Sequence, residues 1–182
     1  MLRRTLIASA AALATGAPAF AQATDPQNTL YLDLKQGRVV IEMFPDIAPK
    51  TVAQIKTLAR EGFYDGTPFH RVIDGFMAQG GDPTGTGGGG SKLPNVPLET
   101  SHRHFVRGVC GMARTQDPDS GNSQFFIMFA PAPGLDGQYT IWGRVVKGMD
   151  FVDMIKRGTG QNGTVVGQPD RIVHLRVAAD VK

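Results

Sequence analysis

The chain contains one cysteine, Cys110, which excludes an intramolecular disulfide and any zinc site built from paired cysteines. It also lacks a strong charge of either sign. Lys and Arg number 19 and Asp and Glu 16, a formal net charge of +3. Two of the basic residues, Arg3 and Arg4, lie in the first 21 residues, which hold no acid. The remainder is close to neutral and leaves no electrostatic footprint for nucleic acid. Long apolar runs are missing after that first segment, so no stretch approaches the ~20 residues a spanning helix needs. No internal repeat period is visible. What the chain has in abundance is glycine (23) and proline (12). Both break helix interiors, which argues against a helical bundle and for short strands joined by turns. With 182 residues, 41% of them hydrophobic, one packed domain is expected.

Residues 1–21 read as an export signal. Arg3 and Arg4 form a basic start, Leu6 to Ala14 an apolar run, and Ala19-Phe20-Ala21 a signal-peptidase site. Cleavage is expected after Ala21 or after Ala23. Arg3-Arg4-Thr5-Leu6-Ile7 also matches the core of a twin-arginine signal, so both that route and the general secretory route stand. The mature domain, residues 22–182, is expected in the periplasm or otherwise exported, free of the membrane.

Thr29 to Leu34 and Arg38 to Met43 are β-rich runs around Gln36-Gly37 and predict a hairpin. Asp46-Ile47-Ala48-Pro49 predicts a helix start, Val52, Ile55, Leu58 and Ala59 follow at helical spacing, and Gly62 is the stop. Pro68 to Ile73, Phe76 to Gln79, Val109 to Ala113, Ser123 to Phe129, Thr140 to Val146 and Arg171 to Val177 read as further strands. Asp150 to Arg157 reads as a short helix ended by Gly158. About eight strands and two helices suggest a mainly β fold, a closed eight-stranded antiparallel barrel capped by two α-helices.

Gly85 to Gly90 satisfies a G-x-G-x-x-G pattern, but Leu93-Pro94-Asn95-Val96-Pro97 cannot be the helix a dinucleotide site requires. A flexible surface loop is the expectation. His102 and His104 lack a carboxylate or cysteine neighbour in sequence, so no metal site is expected. Asn162-Gly163-Thr164 matches a glycosylation acceptor and reads as a turn. Cys110 lies in an apolar strand and reads as an inert core thiol.

Three segments carry chemistry. They are Phe69-His70-Arg71-Val72-Ile73-Asp74-Gly75-Phe76-Met77-Ala78-Gln79-Gly80-Gly81-Asp82, then Met112-Ala113-Arg114-Thr115 continuing to Gly121-Asn122-Ser123-Gln124-Phe125-Phe126-Ile127, and Gly134-Leu135-Asp136-Gly137-Gln138-Tyr139 with Trp142-Gly143. Period-2 alternation puts Gln124 and Phe126 on one face and Phe125 and Ile127 on the other, and Met77 shares a face with Gln79. One face can therefore line a ligand groove while the other fills a core. Two glutamines and an arginine among these apolar residues would be costly to bury without a purpose.

These segments resemble the cyclophilin family of peptidyl-prolyl cis-trans isomerases over roughly residues 29–178. The resemblance implies catalytic roles for Arg71, which contacts the prolyl bond, for Gln79, which touches the substrate backbone, and for Phe76 in the wall of the proline pocket. It implies substrate binding by Met77, Phe126 and Leu135 in that wall, by Gln124 on the peptide backbone, and by Ala113, Arg114 and Thr115, whose strand pairs with the peptide. Tyr139 stands where many members have a histidine. Gly134 stands where some have a tryptophan that packs on cyclosporin-like inhibitors. His70 is adjacent to the site and reads as structural. The implied partners are unfolded or flexible proline-containing polypeptides, and the implied state is a monomer without metal or cofactor. A non-catalytic proline-peptide binding module or chaperone on the same fold is the alternative, and the joint presence of Arg71, Gln79 and Phe126 favours the enzyme.

Overall fold

A computed structural model describes residues 25–181. The export segment expected over residues 1–21 lies outside them. Strands β1 (Thr29–Leu34) and β2 (Gly37–Met43) form the expected hairpin, paired from Thr29↔Glu42 to Leu34↔Gly37. Their alternation turns Leu30, Leu32, Val39 and Ile41 into the core. Helix α1 (Pro49–Arg60) follows, with proline at its first turn, where a missing amide costs nothing. Its start is not capped by a neighbour in sequence. Glu99 reaches in from a distant loop and accepts from the Lys50 and Thr51 amides, both at 2.9 Å. A carboxylate there satisfies two free donors and faces the positive end of the helix dipole. Val52, Ile55, Leu58 and Ala59 pack inward as their spacing predicts. Gly62 ends the helix at φ +69°, its amide on Ala59 and the Phe63 amide on Leu58.

The remaining strands are β3 (Arg71–Ile73), β4 (Met77–Gly80), β5 (Val109–Met112), β6 (Phe125–Met128), β7 (Ile141–Lys147) and β8 (His174–Val177). All pairs are antiparallel, in the order β3-β4-β6-β5-β7-β2-β1-β8. This corrects the expected closed barrel: the sheet is a curled half-barrel with β3 and β8 as its end strands. The reason lies in the segments leading into those strands. Regular strand pairing starts only at Arg71 and at His174, so the residues that would close the barrel lie before both end strands. The two ends meet at a bridge between Pro68 and Arg171 and three bonds, Gly66 to Ile172, Ile172 to Thr67 and Phe69 to Asp170, of 2.8–2.9 Å.

Helix α2 (Met149–Asp153) is shorter than predicted. Arg157 lies beyond it but still serves its end, donating to the carbonyls of Asp153 (2.9 Å) and Ile155 (2.6 Å). The helix has ended before Gly158 is reached: the Lys156 amide donates to Asp170 Oδ2 at 2.8 Å instead of to a helix carbonyl, and Gly158 then donates to Val72 on β3.

The curled sheet separates two apolar clusters. The larger contains Trp142, fully buried and edge-on to Phe125 at 5.8 Å, together with Leu30, Ile41, Ile55 and Ile127. The smaller contains Phe44, Met77, Phe105, Val109, Phe126, Met128 and Ile141. Consecutive residues Phe125-Phe126-Ile127-Met128 thus alternate between the two clusters, the split that the period-2 reading of β6 predicts. Cys110 is buried in the larger cluster, and burial pushes its thiol pKa up, so it is inert.

Candidate active site

The site grows from one row across four strands. Arg71 on β3 is opposite Gln79 on β4, Gln79 is opposite Phe126 on β6, and Phe126 is opposite Gly111 on β5. Register therefore places an arginine, a glutamine and an aromatic ring side by side on one face. Gly111 completes the row by having no side chain. A Cβ there would stand 2.7 Å from Phe126 Cε2 and 2.8 Å from Phe105 Cε1. The bare backbone lets the Phe126 ring lie flat, stacked on Phe105 at 5.6 Å with Tyr139 edge-on at 5.9 Å.

Beside this ring is a cavity of about 160 Å³. Met77, Phe126 and Ala113 come from the sheet and its extension, Phe76 from the β3–β4 turn. Leu135 comes from a single 3-10 turn (Pro133–Leu135) and Tyr139 from the loop after it. Arg71, Gln79 and Arg114 form the polar part of the wall. The structure thus brings together the residues the sequence singled out, apart from Thr115 and Gln124. Those two line an adjoining cavity of about 310 Å³ that shares Gln79, Ala113 and Arg114 with the first.

The polar groups form one chain of hydrogen bonds. Arg71 Nη1 donates to Gln79 Oε1 at 3.0 Å, and Gln79 Nε2 donates to Gln124 Oε1 at 3.0 Å. Gln124 Nε2 donates to the carbonyls of Gly87 (3.0 Å) and Gly89 (2.8 Å). The amides of the same two glycines donate to Asp82 Oδ2, at 2.7 and 3.2 Å, while Asp82 Oδ1 accepts from Thr84. Asp82 is fully buried. Burial alone would raise its pKa, but the bonds from Thr84, Gly89 and Gly87 outweigh it and hold the carboxyl below its ordinary value. The glycine-rich loop expected to be flexible is therefore wrapped around a buried carboxylate and tied to the site.

Arg71 Nε donates to the Asn162 carbonyl at 3.0 Å. Asn162-Gly163 reads in sequence only as a turn. It is one, with Gly163 at φ +67°, and it also orients the guanidinium. Among the described residues Arg71 pairs with no carboxylate, so its charge faces the cavity uncompensated. The Ala113 amide donates to the Gln124 carbonyl, and the Arg114 amide and carbonyl make no bond among the described residues, leaving one residue of backbone open at the cavity edge. His104 finds the carboxylate its sequence neighbours lacked, with Nδ1 2.7 Å from Asp136 Oδ2. Asp136 also holds the Phe105 amide at 2.8 Å, so this pair braces the loop that carries Phe105. No group of three metal-ligating side chains occurs among the described residues.

A curled antiparallel sheet with an apolar pocket, an unpaired arginine and open backbone beside it defines a groove for an extended peptide with one apolar anchor. The family model for cyclophilin type peptidyl-prolyl cis-trans isomerases matches residues 29–177. A Brucella suis protein named "Probable peptidyl-prolyl cis-trans isomerase" is 52% identical over 192 aligned positions, covering 98% of each chain. Among solved structures, cyclophilin AquaCyp293 from Hirschia baltica superposes with a TM-score of 0.75 at 32% identity, over 87% of this chain and 77% of that one. A Cryptosporidium parvum cyclophilin-type isomerase, crystallised in the presence of the dipeptide Ala-Pro, gives a TM-score of 0.75 at 28% identity, over 82% of this chain and 98% of that one. The chain belongs to the cyclophilin-type peptidyl-prolyl cis-trans isomerase family and is an isomerase of X–Pro peptide bonds.

Proposed function

We propose that this isomerase acts on exported polypeptides while they fold, and that Arg71 is the residue that lowers its barrier. Rotation about a peptide C–N bond faces about 18–20 kcal/mol, because resonance must be broken. An acceleration of about a hundred-thousandfold requires lowering that barrier by about 7 kcal/mol. Burying the proline ring against Met77, Phe126 and Leu135 stabilises both isomers and the twisted state alike, and such uniform binding does not raise the catalytic rate.

The differential contribution must follow the electrons. In the planar amide the nitrogen lone pair is shared with oxygen. In the twisted state it returns to a pyramidal nitrogen. A donor aimed at that nitrogen is worth most at the top of the barrier, whereas a donor on the oxygen favours the planar ground state. Arginine offers five donors in a rigid fork and keeps its charge across the working range. The observation that carries this reading is the Arg71 guanidinium itself, held by Gln79 and Asn162, unneutralised, at the wall of an apolar pocket. Gln124 and the open Arg114 backbone hold the peptide on one side of the bond.

No group that titrates between pH 6 and 8 takes part in this mechanism. His70 precedes Arg71 and is buried. Burial holds its pKa below the ordinary 6.5, with Asp82 opposing in part, so it stays neutral there. In the unfolded chain it takes up a proton near about pH 6.5. The folded state thus gains from neutral His70 above that pH and loses the gain as pH falls below it. Isomerisation of a proline tetrapeptide should be flat from about pH 6.5 to 8, with acid losses that track thermal stability. A bell-shaped profile in a folded sample would assign the chemistry to a titrating acid or base instead.

The export assignment is supported by the basic start, apolar run and Ala19-Phe20-Ala21 site, which end before the first strand at Thr29. Amino-terminal sequencing of the protein from a periplasmic extract should begin at Gln22 or Thr24. An uncut chain retained in the cytoplasm would remove this assignment and leave the isomerase reading intact.

A further inference from the structure

Arg114 stands between the two cavities and belongs to the wall of each. Its guanidinium has five N–H donors. Nε and Nη2 donate to the Gln138 carbonyl at 3.1 and 3.0 Å, and Nη1 donates to the Thr115 carbonyl at 2.8 Å. The Tyr139 ring lies against the group, its centroid 4.5 Å from Cζ. The fork is therefore fixed, and two donors remain. Neutral carbonyls orient the charge without neutralising it. Arg38, Arg107 and Arg157, by contrast, close onto carboxylates. Among the described residues no acid lines either cavity. The nearest in sequence, Asp117 and Asp119, turn to the amides of Asp119 and Leu98, both at 2.9 Å.

We infer that Arg114 is a specificity-determining residue, selecting prolyl segments with a carboxylate side chain one or two residues from the proline. The inference rests on the isomerase reading of the groove. An extended peptide advances about 3.3 Å per residue, and alternate side chains share a face. With the proline ring in the smaller cavity, a neighbouring side chain on that face meets the lip where Arg114 is fixed, and a glutamate there can accept both spare donors. Fork-to-carboxylate bonds are the stronger kind, and a fork already held in place loses little freedom on binding. A lysine at the same place brings a second positive charge to an unneutralised one.

The test compares kcat/KM for alanine-based prolyl peptides carrying Glu, Gln or Lys at each of the two positions on either side of the proline. Wild type, Arg114→Gln and Arg114→Lys are measured at low and high salt. At one position or more, wild type should prefer Glu to Lys by about fivefold, the upper range for a partly exposed pair. Gln should fall between them, and the contrast should shrink with salt. Arg114→Gln should abolish the contrast, and Arg114→Lys should keep part of it. A wild type that turns over the Gln peptides without distinguishing Glu from Lys overturns the inference and leaves the isomerase intact. So does a contrast that survives in Arg114→Gln, or a variant that slows all peptides equally. A folded wild type that turns over none of the peptides overturns the isomerase reading and this inference with it.

Discussion

Arg71→Ala is expected to slow isomerisation about a hundredfold, the scale of losing one preorganised donor worth about 2.7 kcal/mol. Affinity for a prolyl peptide should fall by only a few-fold. The asymmetry follows from where the donor is used. The pocket walls, Gln124 and the open backbone at Arg114 contact the peptide in either isomer and remain in the variant. What disappears is the bond that strengthens as the nitrogen becomes pyramidal. The fold should survive, because among the described residues the side chain makes only its bonds to Gln79 and Asn162 and a long contact to Met77. The β3–β4 pairing of Arg71 with Gln79 uses backbone atoms, which alanine keeps. Arg71→Lys gives a second reading, since it keeps the charge and loses the fork. If geometry matters as argued, lysine should recover only part of the rate. Rate from a coupled peptide assay and affinity from calorimetry separate the two quantities. Equal losses in both would show that Arg71 merely binds, and the twisted-state argument would fail.

The parts of this site that were legible from the sequence are those set by local pattern. Alternation along β6 sorted Phe125 and Ile127 from Phe126 and Met128, and these residues do occupy different clusters. Helical spacing picked out Val52, Ile55, Leu58 and Ala59 as the inward positions of α1, and missed only the buried Thr51. What escaped is what depends on contacts far apart in the chain. Asp46 sat where a helix cap is expected, yet Glu99 does the capping, and no local pattern links residues 50 and 99. The glycine run reads as flexible because its tie to Gln124, 35 residues from Gly89, is made only in the folded sheet, although its other partner, Asp82, is close in sequence. Closure of the barrel was overestimated for a related reason. Strand propensity is present over Pro68 to Ile73 and Arg171 to Val177, but regular strands form only from Arg71 and from His174, and the residues before them meet at a single bridge. Gly111 illustrates a different blindness. Its contribution is an empty space beneath Phe126, which composition and motif cannot distinguish from any other glycine in a strand.

Gly134→Trp is expected to tighten binding of a cyclosporin-like cyclic peptide by about thirtyfold or more, equivalent to about 2 kcal/mol. The resemblance places a tryptophan at this position in the members most sensitive to such inhibitors, where the ring packs on the inhibitor and its N–H can bond it. Gly134 supplies neither. It is exposed in the 3-10 turn immediately before Leu135, which is in the pocket wall. Tryptophans at such places are frequent hot spots, costing about 2 kcal/mol or more when truncated. The structure removes the main objection to the substitution. Gly134 is not among the glycines with positive φ, and nothing lies within 4 Å of where its Cβ would be. A tryptophan can therefore enter without backbone strain, unlike a side chain at Gly111. Small prolyl peptides depend on Met77, Phe126 and the Arg71 fork, so their turnover should change far less than inhibitor affinity. The new ring also provides its own signal. Trp142 is fully buried in the other cluster and should be silent to ligand, whereas fluorescence from the added tryptophan should respond as the inhibitor binds. Circular dichroism and peptide turnover of the variant establish first that the domain is intact. A wild type that already binds the inhibitor as tightly as the folded variant would mean that another wall of the groove holds the cyclic peptide, and that the bare turn at Gly134 does not limit it.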